Sequence, residues 1–355
     1  MEQGTAARIK TLLQIDLNWD YLTQLAARQR VMPLLYWNLN HLCPEMVPRS
    51  VLSQLRGDFH ANIQHNLHLM NELLTLLTCF EQQHIPVIAF KGPVLAVVAH
   101  GNLALRQFCD LDLLVAQQDV SMAQVLLRSL EFKLEHQLSW ESHFVEMQRQ
   151  ISVDLHHQLS PHYFPLKLGF DDLWKRVEPI SLAGTSVLSF RAEDLLLILC
   201  VNVAKDLWVN DARLSQICDI AELMRSHPQM DWPSVINLAR RLGCYRILLM
   251  CLSLVSHLLG VSLAVEVYAA IAAEPMSRIL AMQAEPQLLC LERPQILTNR
   301  QGLLFYWRVK ERLWDKILYF IIPHEEDFKA LQLPSRLSFL YYLIRPIRLG
   351  VKIFS

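Results

Sequence analysis

Glycine is scarce in this chain, ten residues in 355, and neither of the glycine patterns that cradle phosphates, G-x-x-x-x-G-K-[ST] or G-x-G-x-x-G, occurs anywhere in it. P-loop and Rossmann dinucleotide chemistry are therefore excluded as motif-based readings. Charge of either sign is not in excess: the formal net charge of −1 argues against a general nucleic-acid binder, which needs a broad basic surface. The eight cysteines, from Cys43 to Cys290, show no C-x-x-C and no zinc-like spacing, and most lie in apolar surroundings, where a buried free thiol is expected rather than a disulfide frame or metal cage. Long apolar runs are missing too. The most apolar stretch, Ile247 to Leu259, is interrupted by Ser253, Ser256 and His257 and is too short to cross a bilayer. No internal repeat or low-complexity tract stands out, and Met1-Glu2-Gln3-Gly4 leads into a charged stretch rather than a secretory signal, so the expected compartment is the cytoplasm.

What is present is an ordered, apolar-rich and mainly helical sequence, 52% hydrophobic and long enough for two or three domains. Residues 1–84 read as helix throughout, most clearly from Asn62 to His84, where Ile63, Leu67, Met70, Leu74 and Leu77 recur at spacings of three and four. The pattern changes at Ile85-Pro86-Val87-Ile88-Ala89-Phe90, a short β-rich run. A helix-compatible stretch to His100 follows, then a strand at Asp110–Val115 and an amphipathic helix from Asp119 to Leu130, with Asp119 placed as its cap. Three short strands, Phe132–His136, His143–Arg149 and Ile151–His156, complete a β-α-β-α-β-β-β segment that ends near Phe190. Helices are expected again at Arg191–Asp206, Leu214–Ser226, Pro233–Leu242, Tyr245–Leu259, Val261–Ala273 and Tyr306–Phe320. The domains expected are 1–84 (helical), 85–190 (α/β) and 191–355 (helical).

The most informative residues are Asp110 and Asp112, in Arg106-Gln107-Phe108-Cys109-Asp110-Leu111-Asp112-Leu113-Leu114-Val115. Strand alternation points both carboxylates one way and Leu111 and Leu113 the other. Two like charges on one pleat repel, and a bridging hard cation, magnesium or manganese, relieves the strain; a solvated strand end is the alternative. Asp154, alone in the apolar Ile151–His156 strand, is a third carboxylate if the two strands are neighbours, and otherwise an edge residue facing water. Three such groups can hold two divalent ions about 3.5–4 Å apart, the clamp used for displacement at phosphorus. Lys91-Gly92 closes the first strand, where a glycine admits a phosphate and a lysine adds a charge. Arg106 stands four residues before Asp110, within reach of a triphosphate or on the surface.

The order K-G, R-x-x-x-D-x-D, then an isolated Asp in an apolar strand resembles the DNA polymerase β-type nucleotidyltransferase superfamily. More narrowly, the chain resembles the bacterial uncharacterised nucleotidyltransferase family, through Lys91-Gly92, Arg106, Asp110-Leu111-Asp112-Leu113 and Asp154-Leu155-His156. The likeness continues in Leu199–Trp208, Ile217–Leu223 and Leu340–Leu349. Gly92 is followed by Pro93, which has no N–H for a phosphate, and Asn202 and Asp206 stand where that family often carries histidines.

The resemblance implies an α+β protein: a small mixed-sheet, palm-like nucleotidyltransferase domain between N- and C-terminal helical domains. It implies Mg2+ (or Mn2+) held by Asp110, Asp112 and Asp154, an NTP such as ATP contacted by Lys91, Gly92, Arg106 and Lys205, and pyrophosphate release. Lys205 is alternatively a partner of Asp206 or Asp219, and His156, two residues beyond Asp154, orients the acceptor or is a core histidine. The acceptor is open: small molecule, sugar, peptide, protein side chain or RNA end. Two other readings share the D-x-D, a nucleotide-sugar glycosyltransferase and a non-catalytic nucleotide-binding protein of the same fold. The tail from Leu340 to Lys352, with Tyr341, Tyr342, Leu343 and Ile347 among Arg345, Arg348 and Lys352, is a surface for a membrane or partner, or packs on the helical domain.

Overall fold

A computed structural model describes residues 2–291, 299–323, 327–328, 331 and 333–354. The chain opens with α1 (Glu2–Leu12), α2 (Trp19–Arg28), α3 (Met32–Leu42) and the 34-residue α4 (Arg49–Gln82). β1 (Val87–Ala89), α5 (Gly92–His100), β2 (Asp110–Val115) and α6 (Val120–Ser129) come next. They are followed by β3 (Lys133–Gln137), β4 (Glu141–Glu146), β5 (Ile151–His156), α7 (Phe170–Trp174) and the hairpin β6 (Glu178–Leu182) and β7 (Thr185–Ser189). Helices complete the chain: α8 (Ala192–Trp208), α9 (Leu214–Ser226), α10 (Trp232–Leu242), α11 (Tyr245–Leu259), α12 (Val265–Ala273), α13 (Pro275–Leu289), α14 (Asn299–Val309), α15 (Leu313–Ile321) and α16 (Tyr341–Phe354).

The five-stranded sheet has the order β1-β2-β5-β4-β3. It is mixed, since β2 and β5 run parallel while every other neighbouring pair is antiparallel. Alternation assigns its faces. Leu111, Leu113, Val115, Phe144, Ile151, Val153 and Leu155 pack on one side against Leu69, Leu73, Leu76 and Phe80 of α4 and Ala123 and Leu127 of α6. Period two in the strands thus meets period 3.6 in the helices. The opposite face carries Asp110, Asp112, Asp154, His156 and His143, and at its β1 side Ile88, Phe90 and Leu114 join the large apolar core built by α8 to α15. The sheet is therefore wedged between the long α4 and the C-terminal helical block, and polar residues gather on the face turned toward that block.

Several local details depart from the sequence-based expectations. Asp119 occupies the N-cap position of α6 but makes no side-chain cap bond, because a 3-10 turn at Gln117–Asp119 has already put its backbone in the helical region. The segment Tyr306–Phe320 is two helices rather than one, broken at Lys310–Arg312; Glu311 turns there to accept from the backbone N–H of Arg246. The β6–β7 hairpin, a separate two-stranded sheet, and α13 were not anticipated. The tail forms α16, in which buried Arg345 donates to the Tyr319 carbonyl at 2.7 Å and Arg348 to Asp327 at 2.7 Å. Two of the tail's basic groups thus bind its own helical block, while Tyr342, Leu343 and Ile347 are exposed; the side chain of Lys352 lies outside the described residues. No described helix is long and apolar enough to cross a membrane.

Lys310, at the α14–α15 break, is buried over the Tyr306 ring and donates to the carbonyls of Tyr163 and Asp315. Burial, only partly offset by Asp315, pulls its pKa down to about 7. Between that value and the ordinary lysine value of about 10.4 the unfolded chain binds a proton that the folded chain does not. The cost of this group is therefore full below pH 7 and fades as pH rises toward 10. The melting temperature of the wild type should gain on that of Lys310→Met between pH 6 and 10; a constant difference across that range would show an ordinary lysine.

Candidate functional site

Asp112 and Asp154 face each other across the parallel β2–β5 pair, in direct register. Asp110, at the mouth of β2, lies on the same face. Donor atoms of Asp112, Asp154 and His156 all fall within 4.8 Å of one another. Asp112 is the best held of the three. It is 5% exposed, accepts from Lys91 Nζ at 2.8 Å, and has His156 Nε2 3.1 Å from the same Oδ1. Burial opposes its charge, yet Lys91 and His156 outweigh that and hold its carboxyl well below the usual carboxylate range. Asp110 goes the other way: burial and the charges of Asp112 and Asp154 push its pKa up, and Lys91 and Arg106 only partly compensate.

Lys91 is the hub of this charge balance. Burial disfavours its ammonium, but Asp112, then Asp110 and Asp154, overcome that and raise its pKa above the ordinary lysine value. It remains charged across the physiological range. Three carboxylates around one ammonium leave uncompensated negative charge in a largely desolvated place, where unlike charges are worth several times their value in water. A hard divalent cation suits that donor set.

The glycine beside Lys91 has a role that phosphate access did not suggest. Gly92 begins α5 with φ +50°, and a Cβ there would sit 3.0 Å from the backbone carbonyl of Asp110. Gly92 thus lets the start of α5 press against the start of β2, fixing Lys91 relative to the aspartates.

Arg106 is held by Asp219. Its Nε donates to both oxygens of Asp219 on α9, at 3.0 and 3.1 Å, and Nη1 approaches the Gly92 carbonyl at 3.5 Å. His100 Nε2, at the end of α5, reaches the same carboxylate at 2.8 Å. Burial opposes the Asp219 charge, but Arg106 and His100 prevail and lower its pKa. Asn62 and Asn66 of α4 also donate to the Arg106 carbonyl, so this residue ties α4, α5 and α9 together just ahead of β2. Lys205 is 3.9 Å from Asp206, not paired with Asp219. Asp206 in turn accepts from Gln216 at 2.7 Å; burial raises its pKa, with Lys205 and Lys91 acting against the rise. The C-terminal turn of α8 is thereby close enough for Lys91 to be felt.

His156 does share the face of Asp154, but the group it meets is Asp112. Its Nδ1 lies 3.2 Å from Glu141 Oε2, outside hydrogen-bonding geometry, and its ring sits edge-on to Phe90. Two neighbours escaped the sequence reading. His143 of β4 pairs in register with Asp154 and its Nδ1 is 2.5 Å from Oδ1. A cavity of about 800 Å³ opens beside Cys109, the residue before Asp110, and is lined by Arg28, Arg30, Asn62, His65 and Arg213 among others. Arg30 approaches the Cys109 thiol at 3.6 Å. The sequence signal for His143 was available, a histidine at alternating parity in a strand; the arginines come from two segments far apart in the chain, Arg28 with Arg30 and then Arg213, and no spacing rule could have joined them.

The chain before Asp110 consists of α1 to α5, the short β1 and brief 3-10 turns, which is not the Rossmann-like half a D-x-D glycosyltransferase would place there. Residues 16–260 match a family described as "Uncharacterised nucleotidyltransferase". Two solved structures of ANT(2'')-Ia align at low similarity. One is a crystal structure in complex with adenylyl-2''-tobramycin, 13% identical, covering 48% of this chain and 97% of that one with a TM-score of 0.37. The other is a solution structure, described as an antibiotic-resistance factor, 15% identical, covering 61% and 95% with a TM-score of 0.29. No curated protein matches the chain.

Asp219→Ala should destabilise the protein by about 3–5 kcal/mol, because it strands Arg106 and removes the acceptor of His100. Gly92→Ala should cost about 1–3 kcal/mol through its left-handed backbone. Urea midpoints at constant m-value measure both; midpoints like the wild type would show that neither the buried tie nor the close α5–β2 approach supports the fold.

Proposed function

Since the chain belongs to the uncharacterised nucleotidyltransferase family, we propose that it transfers an NMP group from an NTP to an acceptor hydroxyl or phosphate at the Asp110, Asp112 and Asp154 face of the sheet. The observation that carries this reading is the register of Asp112 against Asp154, with Asp110 on the same face and a single ammonium, Lys91, among them.

The donor set fits magnesium or manganese: carboxylate oxygens, with negative charge that Lys91 does not fully balance. Asp110, Asp112 and Asp154 would hold the ion or ions, which when bound supply charge neutralisation to the triphosphate and acidity to the attacking group. The chain's own residues do the rest by positioning and electrostatics, as in phosphoryl transfer generally. Lys91 and His156 fix the Asp112 carboxylate, and Lys91 presents a permanent positive charge to phosphate oxygens. Asp154, held by His143, accepts the proton of the acceptor as its oxygen forms a bond to the α-phosphorus. The bond between that phosphorus and the bridging oxygen breaks, and pyrophosphate leaves with the electron pair. The cavity at Cys109 offers room for the acceptor next to Asp110, with Arg28, Arg30 and Arg213 as donors to an anionic portion of either substrate. Arg106, bound to Asp219, is assigned to holding the site's architecture, with any contact to the triphosphate made from that fixed position. Lys205, near Asp206, remains a second cation for the nucleotide from the α8 side.

The test is to supply NTPs labelled at the α-phosphate, with Mg2+, to protein and cell extract and to identify what acquires label. Asp110→Ala and Asp112→Ala should each reduce transfer by about a thousandfold or more, and a chelator should abolish it until Mg2+ is restored. Undiminished label transfer in both variants would reject the proposed site. Pyrophosphate release would separate an active enzyme from a binding protein of the same fold.

A further inference from the structure

The row of polar residues does not stop at Asp154. β4 sets His143 in register with Asp154, and β3, the sheet edge, sets His136 in register with His143. Between Leu134, which pairs with Phe144, and His136, which pairs with His143, the β3 ladder slips by one residue at Glu135. In an unbroken strand, Glu135 and His136 would point to opposite faces. The bulge removes that alternation locally and turns both toward the face of His143.

The result is a carboxylate and two imidazoles whose donor atoms lie within 4.8 Å of one another. Glu135 Oε2 is 3.4 Å from His143 Nε2, and the His136 and His143 rings are 4.7 Å apart at 19°. Ligands about 2.0–2.1 Å from a tetrahedral zinc ion are separated by about 3.4 Å, so the first pair needs little movement. Two histidines and one glutamate form a known three-ligand zinc set with a position left for water, and imidazole nitrogen selects a borderline transition ion over magnesium. A second feature concerns His143. Its Nδ1 faces Asp154 at 2.5 Å; an ionised carboxylate only accepts, so the proton belongs on Nδ1 and the Nε2 lone pair is left toward Glu135 and His136. Metal-bound histidines are commonly oriented by such a carboxylate.

We propose that Glu135, His136 and His143 bind one zinc-like transition-metal ion at the bulged edge of the sheet, separate from the Asp110, Asp112 and Asp154 set and joined to it through the His143–Asp154 hydrogen bond. Occupancy fixes His143 as a neutral donor and so holds Asp154 in one orientation. Metal binding at this site does not rest on the proposed transfer reaction; only its effect on Asp154 does. Without the ion, the same geometry is His143 set between the Asp154 and Glu135 carboxylates, and metal uptake distinguishes the two states.

The experiment titrates Zn2+ into chelator-treated full-length protein held in excess Mg2+, by calorimetry, with Co2+ absorption as the spectroscopic check. One Zn2+ should bind per chain, and Co2+ should give the intense visible bands of a four-coordinate site. Both His136→Ala and Glu135→Gln should weaken binding by about tenfold or more without altering the circular dichroism or melting of the metal-free protein. Asp112→Ala should retain the zinc, whether or not that variant transfers nucleotide, so this result is independent of the fate of the catalytic reading. Absence of Zn2+ uptake, uptake unchanged in His136→Ala, or loss of uptake in Asp112→Ala would each overturn the proposal.

Discussion

The parallel pairing of β2 with β5, in the register that sets Asp112 opposite Asp154, is the constraint on which the rest of this structure depends. A slip of one residue would turn Asp154 into the apolar layer beneath α4 and expose Val153 and Leu155. The register is secured from below, where Leu111, Leu113, Val153 and Leu155 pack into one core with Phe144 and the inner face of α4. Hydrophobic burial on one side of the sheet therefore purchases the approach of like charges on the other. Lys91 moderates that approach, and it is delivered by a helix start where glycine allows two backbones to approach closely.

Around this pair the protein has arranged nested layers of fixation. Asp112 is held by Lys91 and His156, Asp154 by His143, and the segment entering β2 by Arg106. The Arg106–Asp219–His100 cluster is a buried ionic tie, and such ties contribute less to net stability than their short distances suggest, because desolvation offsets much of the attraction. Their value here is geometric. Arg106 joins α4, α5 and α9, so the helical block and the sheet share one reference point a few residues from the carboxylates.

Much of this was legible in the primary structure. The D-x-D strand, the isolated Asp154, the K-G junction and the long periodic helix before them follow from period-two and period-3.6 patterns that local sequence displays directly. The boundaries of α9 and α11 follow from the sequence as well, since apolar periodicity and, for α11, the closing Gly260 mark them. Where reading failed, the cause was tertiary. The break between α14 and α15 depends on Glu311 finding Arg246, 65 residues away. The β6–β7 hairpin is short and polar at its start, and its identity as a second sheet comes from packing rather than pattern.

The sequence by itself determined which carboxylate, ammonium and guanidinium groups the chain has to offer, and on which side of each strand the carboxylates stand, because pleat alternation is a local property. Tertiary structure alone decided which of them meet. Arg106 went to Asp219 rather than outward, His156 to Asp112, and His143 came alongside Asp154, since partner choice for a buried charge is set by whichever opposite group the packing desolvates with it. No spacing within the chain records that choice.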